Sequence, residues 1–288
     1  MPSIAYDATR AALLNPELRP SLFGPGGPGG PAWPDIHAVC AECSRLAYLH
    51  FEKPESDQGA RLGAALAAAG FSGLRTFQSA ATGTQAFAVL LAAGGPVLLA
   101  FRGTEPDQVT DIGTDLAATL VPWVRGGRVH FGFAHAFASV RDDIGAWLGR
   151  QAGDREPILT GHSLGAALAT LAASFWRGGR LVTFGSPRVG DAAFVKTVDL
   201  ARSARFVDCC DIVTQVPPAV AGLYADSGPM RYIDRHGIER AGISEAAVED
   251  DRAAARSSHL RDEAWVSGNV WSRELADHAP INYVRAFV

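Results

Sequence analysis

The stretch "ILTGHSLGAALATLAASF", residues 158–175, carries a serine framed by two glycines: Gly161-His162-Ser163-Leu164-Gly165. The residues before Gly161 read as a short buried strand, and those after Ser163 as an alanine-rich helix. A strand that turns straight into a helix lifts one side chain out at the bend, and a serine there is an exposed nucleophile. A side chain at 161 or 165 would collide with the neighbouring strand or helix, so both positions call for glycine. Ala166, Ala167, Ala169, Ala172 and Ala173 let the helix lie close to the strands behind it. The helix also opens at the serine. Its N-terminal amides, that of Leu164 first, point where negative charge would develop on a substrate oxygen.

A serine hydroxyl needs a histidine to take its proton and a carboxylate to orient that histidine. On a strand–turn–helix serine the chain order is serine, acid, histidine. His236, His259 and His278 lie downstream of Ser163. His278, in "ELADHAPINYV", sits on a loop between two helical patterns. His259 lies in a run of alternating charge that reads as a solvated helix face. His236 lies in a polar hairpin and reads as exposed. Among the acids, Asp191 falls too close to the next strand–helix unit. Asp211 stands just past the strand "ARFVDCC", where the prolines of "DIVTQVPP" stop further pairing. Asp208, still within that strand, is the alternative and otherwise a polar residue with a surface role.

The elements that would hold these groups alternate. "DIHAVCAECSRLAYL" is helical; "QAFAVLLAAGGPVLLAFRG" gives two apolar strands turning at Gly94-Gly95; "AHAFASVRDDIGAWLGRQ" is helical. After the serine unit come a strand "RLVTFGS", a short helix "GDAAFVKTV" and the strand "ARFVDCC". Alternation of this kind predicts an α/β fold with a mostly parallel sheet covered on both faces. A polar hairpin near "LYADSGPMRYIDR" and further helical pieces come next. Residues 1–33, with "GPGGPGGP", read as a flexible N-terminal arm, and 34–288 as one domain.

A length of 288 residues suits one domain with a sizeable core. A net charge of -4 gives no electrostatic reason to expect nucleic acid as a partner. No apolar run reaches about 18 residues, so no stable membrane insertion is expected. The start lacks the basic and apolar regions of a signal peptide, which predicts a cytoplasmic protein, with secretion by another route as the alternative. The four cysteines fall in two pairs, Cys40/Cys43 and Cys209/Cys210. Adjacent cysteines cannot easily both face one tetrahedral ion, so buried free thiols are expected, with no metal and no cofactor.

The stretches "VLLAFRGTE", "VHFGFAHAF", "ILTGHSLGAALATLAA", "LVTFGSPRVGD", "DIVTQVPP" and "DHAPINYV" together resemble the class 3 lipases, in that family's order, from about Pro96 to Val288. The resemblance implies an α/β-hydrolase fold and hydrolysis of carboxylic esters, often of acylglycerols. It implies Ser163 as nucleophile, Asp211 as orienting acid and His278 as base, with Thr104 and Leu164 as oxyanion donors. A phospholipase or an aryl, feruloyl-type esterase on the same triad is the alternative, and a non-catalytic hydrolase-fold binding protein the remote one.

After Thr104, residues 106–122 place Val109, Ile112, Leu116 and Leu120 at helical spacing, with Asp107 as cap and Gly126-Gly127 as hinge. An ordinary packed helix and a lid fit this pattern equally. The resemblance favours a lid that makes transient contact with a lipid interface. Oligomeric state is not legible.

Overall fold

The computed structural model describes residues 4–23, 35–91, 95–103, 119–151, 153, 155–219 and 222–288. Eight strands form the main sheet: β1 (Ser72–Ser79), β2 (Thr84–Leu90), β3 (Val97–Phe101), β6 (Ile158–His162), β7 (Arg180–Phe184), β8 (Ser203–Asp208), β9 (Met230–Ile233) and β10 (Glu239–Arg240), side by side in that order. Strands β3, β6, β7, β8 and β9 run parallel; antiparallel pairings add β2 and then β1 at one edge and β10 at the other. A separate hairpin pairs β4 (Leu120–Pro122) with β5 (Arg128–His130).

Both faces are covered, because the strands alternate two apolar sets. Along β3, Leu98 and Ala100 join one core, while Val97, Leu99 and Phe101 join the other. The first core packs against α2 (Ile36–Leu46), α3 (Gln58–Ala68) and α9 (Pro280–Val284). The second packs against α4 (Phe131–Gln151) and α5 (Leu164–Trp176). On α5 every residue from Gly165 to Ser174 is buried, so the helix has no solvated face near the sheet. Truncating Leu168 or Leu171 there would cost about 2–5 kcal/mol.

The N-terminal residues are not the flexible arm expected. Residues 4–23 carry α1 (Arg10–Leu14) and a turn of 3-10 helix (Pro16–Leu18), and they bury Ala8, Leu13 and Phe23 in the first core. The anchor is a fully buried pair on α2. Arg45 bonds Glu42 at 2.7 Å and donates to the carbonyls of Pro16, Arg19 and Pro20, and Glu42 accepts from the Leu22 amide. Removing either partner would strand a buried charge. Residues 24–34 lie outside the described residues.

Most of the lid segment, residues 104–118, also lies outside them. Its C-terminal end is described and differs from the helix expected. Leu120–Pro122 is a strand, and Gly126-Gly127 (φ 119° and 73°) closes the β4–β5 hairpin instead of forming a hinge. A Cβ on Gly127 would lie 2.1 Å from the Phe194 amide nitrogen, so this turn is packed tight. Trp123 is held by Ser174 through its Nε1 at 2.8 Å and sits among Phe137, Phe175 and Phe194.

The short helix expected after β7 is α6 (Ala192–Val195), ahead of β8. The expected polar hairpin falls slightly later than its text, at β9–β10. Beyond it come α7 (Glu245–Asp262) and a one-turn helix, α8 (Arg273–Ala276), which leads to α9. The helix α7 is mostly polar, yet Val248 and Ala255 pack on Cys209, Cys210 and Tyr232. Arg252 of α7 donates from Nε to the Cys209 carbonyl at 2.8 Å, which fastens the helix behind the turn after β8.

Candidate active site

Ser163 sits at the bend between β6 and α5 with φ 58° and ψ -129°, a conformation that L residues avoid. The bend is locked from both sides. The Ser163 amide donates to the Phe184 carbonyl of β7 at 3.0 Å. A Cβ on Gly161 would come within 2.3 Å of the Gly165 backbone, and one on Gly165 within 2.2 Å of the Phe101 carbonyl oxygen. The two glycines are therefore required by close approach of helix to strand, as the sequence pattern implied.

The turn after β8 brings Asp211 to the same sheet edge, and the loop between α8 and α9 brings His278. His278 Nε2 lies 3.0 Å from Ser163 Oγ. Its Nδ1 lies 3.0 Å from Asp211 Oδ1 and 2.9 Å from Oδ2. All three residues are buried, Ser163 included, so the bend lifts its hydroxyl out of the backbone turn but does not expose it to solvent as expected. Asp211 is held in turn: Oδ1 accepts from the Val213 amide at 2.9 Å and Oδ2 from the Tyr283 hydroxyl at 2.6 Å. A hydroxyl, an imidazole and a carboxylate in this line can pass a proton from oxygen to nitrogen while the carboxylate fixes the ring.

Leu164 is the first residue of α5, so its amide belongs to the first turn, where N–H groups have no partner within the helix. Thr104, the other expected oxyanion donor, lies outside the described residues.

The other acids and histidines of the sequence reading have different places. Asp191 caps α6, accepting from the Phe194 amide. His236 is exposed, as expected. His259 is not on a solvated face: it is buried, with Nε2 3.1 Å from the Val270 carbonyl oxygen. Its flanking charges point outward while the imidazole turns into the fold, a distinction that charge alternation cannot register. Asp208 has no surface role either. It is fully buried with neither carboxylate oxygen hydrogen-bonded, and burial, then the nearby Asp277, push its pKa well up.

Four residues beside this line are given no role in the site by the sequence reading. Tyr283 ties Asp211 as described, and accepts from the Asp208 amide at 3.1 Å. Gly185 (φ 59°) faces the site so closely that a Cβ would lie 2.8 Å from Asp211 Oδ2 and 3.2 Å from the His278 ring. His162 packs its ring 4.5 Å from that of His278, and Tyr48 hydrogen-bonds His162 Nδ1 at 2.8 Å. Burial, then His278, hold the His162 pKa well below the usual histidine value, so His162 is neutral. The "FGS" motif ending β7 is the one clue to Gly185; Tyr48 and Tyr283 lie in ordinary amphipathic helical text.

All four cysteines are free and buried. Adjacency does not separate Cys209 from Cys210 as expected: their sulfurs lie 3.7 Å apart, with an Asp277 oxygen within 4.8 Å. The sharp turn at Cys209 (φ 26°) brings them together. Asp277 is itself engaged, by Arg273 at 2.6 Å and by the Cys210 amide at 2.9 Å.

Residues 98–221 match the family model described as lipase (class 3). A lipase from Rhizopus microsporus var. chinensis is 30% identical, with a TM-score of 0.53 over 68% of this chain and 71% of that one. The chain belongs to the class 3 lipase family. The Rhizomucor miehei lipase–propeptide complex superposes with a TM-score of 0.57 over 68% of this chain and 65% of that one, at 24% identity, and shares the α/β-hydrolase fold. A secreted mono- and diacylglycerol lipase of Malassezia restricta is 31% identical over 151 residues, 46% of this chain and 50% of that protein. One of Penicillium cyclopium is 32% identical over 163 residues, 54% of this chain and 53% of that protein. The chain thus spans about half the length of the curated relatives it matches. The cytoplasmic expectation finds no support among class 3 lipases of this kind, since both relatives are named as secreted. Among the described residues no helix is long and apolar enough to cross a membrane.

Proposed function

We propose that this class 3 lipase is a serine carboxylic-ester hydrolase acting on acylglycerols. The observation that carries the reading is the line from Ser163 Oγ through His278 Nε2, at 3.0 Å, to Asp211 behind Nδ1. Ser163 Oγ attacks the ester carbonyl while His278 Nε2 takes its proton, and Asp211 orients the imidazolium that forms. The carbonyl oxygen becomes an oxyanion facing the Leu164 amide, with Thr104 as the second donor on the family resemblance. Collapse of this tetrahedral intermediate breaks the ester C–O bond. The leaving alcohol takes the proton from His278, and an acyl group stays on Ser163. Water, deprotonated by the same imidazole, then releases the fatty acid and restores the serine.

The matched relatives are named for mono- and diacylglycerols and as secreted, which supports partial acylglycerols as substrate and export of this chain. The test is fatty-acid release from emulsified mono-, di- and triacylglycerol and from phosphatidylcholine, beside a chain-length series of p-nitrophenyl esters. The reading expects release from mono- or diacylglycerol to dominate. Dominant release from phosphatidylcholine would replace the substrate class, and no release from any ester would replace the activity.

A further inference from the structure

Between α7 and α8 the chain makes a compact turn that holds apolar side chains out into water. Trp265 is 82% exposed and Trp271 73%, with Leu260 at 59% and Val266 at 51% beside them in sequence. A loose loop would explain such exposure, but this turn is firmly held. The amides of Glu263 and Ala264 both donate to the His259 carbonyl, at 2.9 and 2.8 Å, and Asn269 Nδ2 reaches Glu263 Oε2 at 2.8 Å. The N-terminal segment clasps the far side, where Arg10 N donates to the Gly268 carbonyl at 2.8 Å and Val270 N to the Ala8 carbonyl at 2.9 Å. His259, buried beneath, faces the Val270 carbonyl oxygen. The fold thus fixes two indoles in an orientation that water disfavours.

We infer that this turn is a docking surface for a zwitterionic lipid interface. Three features of the turn favour that occupant. Trp265 and Trp271 are 82% and 73% exposed, so a protein partner would need a matching pocket for each, whereas a fluid lipid surface conforms to the side chains. Tryptophan pairs an apolar ring with an N–H donor and settles at the headgroup level of bilayers. The arginines around the turn are already paired, Arg261 with Asp262 at 2.9 Å and Arg256 with Glu274 at 2.7 Å, and the Glu263 carboxylate bonds only Asn269, so no basic excess calls for an anionic surface. The inference rests on the proposed acylglycerol hydrolysis for its purpose. Trp271 precedes His278 by seven residues, four of them in α8, so the two Cα atoms lie within about 25 Å of each other by chain length alone. Docking there would keep the site beside the aggregate that holds its substrate.

The test compares the full chain with the double variant Trp265→Ala/Trp271→Ala, and with Leu18→Ala as a control for an exposed apolar residue elsewhere. Co-sedimentation with phosphatidylcholine vesicles measures partitioning, a water-soluble short-chain p-nitrophenyl ester reports the chemistry, and sedimentation velocity without lipid reports self-association. The inference expects partitioning of the double variant to fall at least about tenfold, unchanged partitioning of Leu18→Ala, unchanged hydrolysis of the soluble ester by both, and no self-association. Equal partitioning of wild type and double variant overturns it. So does a wild type that self-associates, ignores vesicles and becomes monomeric on losing both indoles, because the surface is then a contact between copies of this chain. If partitioning splits as expected while wild type cleaves no ester, the docking surface stands and the hydrolase reading fails.

Discussion

Tyr283 donates its phenolic proton to Oδ2 of Asp211 across 2.6 Å, from five residues beyond His278 on α9. Burial, followed by the charges of Asp211 and Asp208, pushes the phenol pKa well up, so Tyr283 remains a donor at every pH the fold tolerates. It positions the carboxylate that orients His278. A hydrogen bond to a charged group contributes about 1.5–3 kcal/mol. Tyr283→Phe is expected to lower kcat about 10-fold on a soluble ester and to leave KM unchanged. Steady-state kinetics check this, and an unchanged kcat would reduce Tyr283 to packing.

Gly165 has no room for a side chain, because a Cβ would meet the Phe101 carbonyl oxygen at 2.2 Å on β3, a backbone atom that cannot swing away. Gly165→Ala is expected to destabilise by about 1–3 kcal/mol or more. At about 2–4 °C per kcal/mol for a chain of this size, thermal melts should show a clear loss of Tm. Activity should fall with it, since the serine rides on the displaced helix.

At Asp208 a substitution should stabilise instead. Its folded pKa is raised by burial and by Asp277. Stability is therefore full below the unfolded value of about 3.9 and is lost as pH rises through the raised value. Above the unfolded value the unfolded chain ionises this group freely, whereas the fold must hold it protonated or bury a carboxylate with no hydrogen-bond donor on either oxygen. Asp208→Asn is expected to stabilise at pH 8 by about 1–3 kcal/mol, with the gain shrinking toward pH 4. Denaturant unfolding at the two pH values checks it. Activity should change little.

His162 is depressed by burial and by His278, so the folded state keeps it neutral while the unfolded chain protonates it below about pH 6.5. Its contribution is present above that pH and is lost as pH falls, with a slope of at most about 1.4 kcal/mol per unit. His37 and His130 are depressed by burial in the same sense, so the whole protein's acid sensitivity exceeds this one share. His162→Gln should flatten the decline in unfolding free energy between pH 6.5 and 5. A variant that declines as steeply as wild type would contradict this.

How far the site can be read from the sequence depends on the range of the forces that build it. Ser163 is legible because its constraints are local: two close approaches and a helix start, all within five residues of text. Asp211 and His278 are legible as positions, one past the end of a strand and one on a late loop, although the contact between them spans 67 residues. The strands β3, β6, β7 and β8 are legible as apolar runs. Tyr283 and Tyr48 are not, since a tyrosine in an amphipathic helix looks the same whether its hydroxyl meets water or a buried carboxylate. The strand β4 reads as the end of a helix because Leu120 continues the spacing of Val109, Ile112 and Leu116, while Gly126-Gly127 turns the chain back into β5. The N-terminal segment reads as a loose arm because its anchor, Arg45 with Glu42, lies on another helix, where a charged pair three residues apart normally signals a solvated face.

The central claim is that Ser163 is the residue acylated during turnover, activated by His278. The most direct measurement is the rate and site of covalent labelling by a fluorophosphonate, read by intact mass and peptide mapping in wild type, Ser163→Ala and His278→Ala. The account predicts one adduct per chain on the peptide carrying Ser163, none in Ser163→Ala, and labelling slowed by at least about 10³-fold in His278→Ala. Labelling of Ser163→Ala at the wild-type rate, or of His278→Ala as fast as wild type, would contradict it.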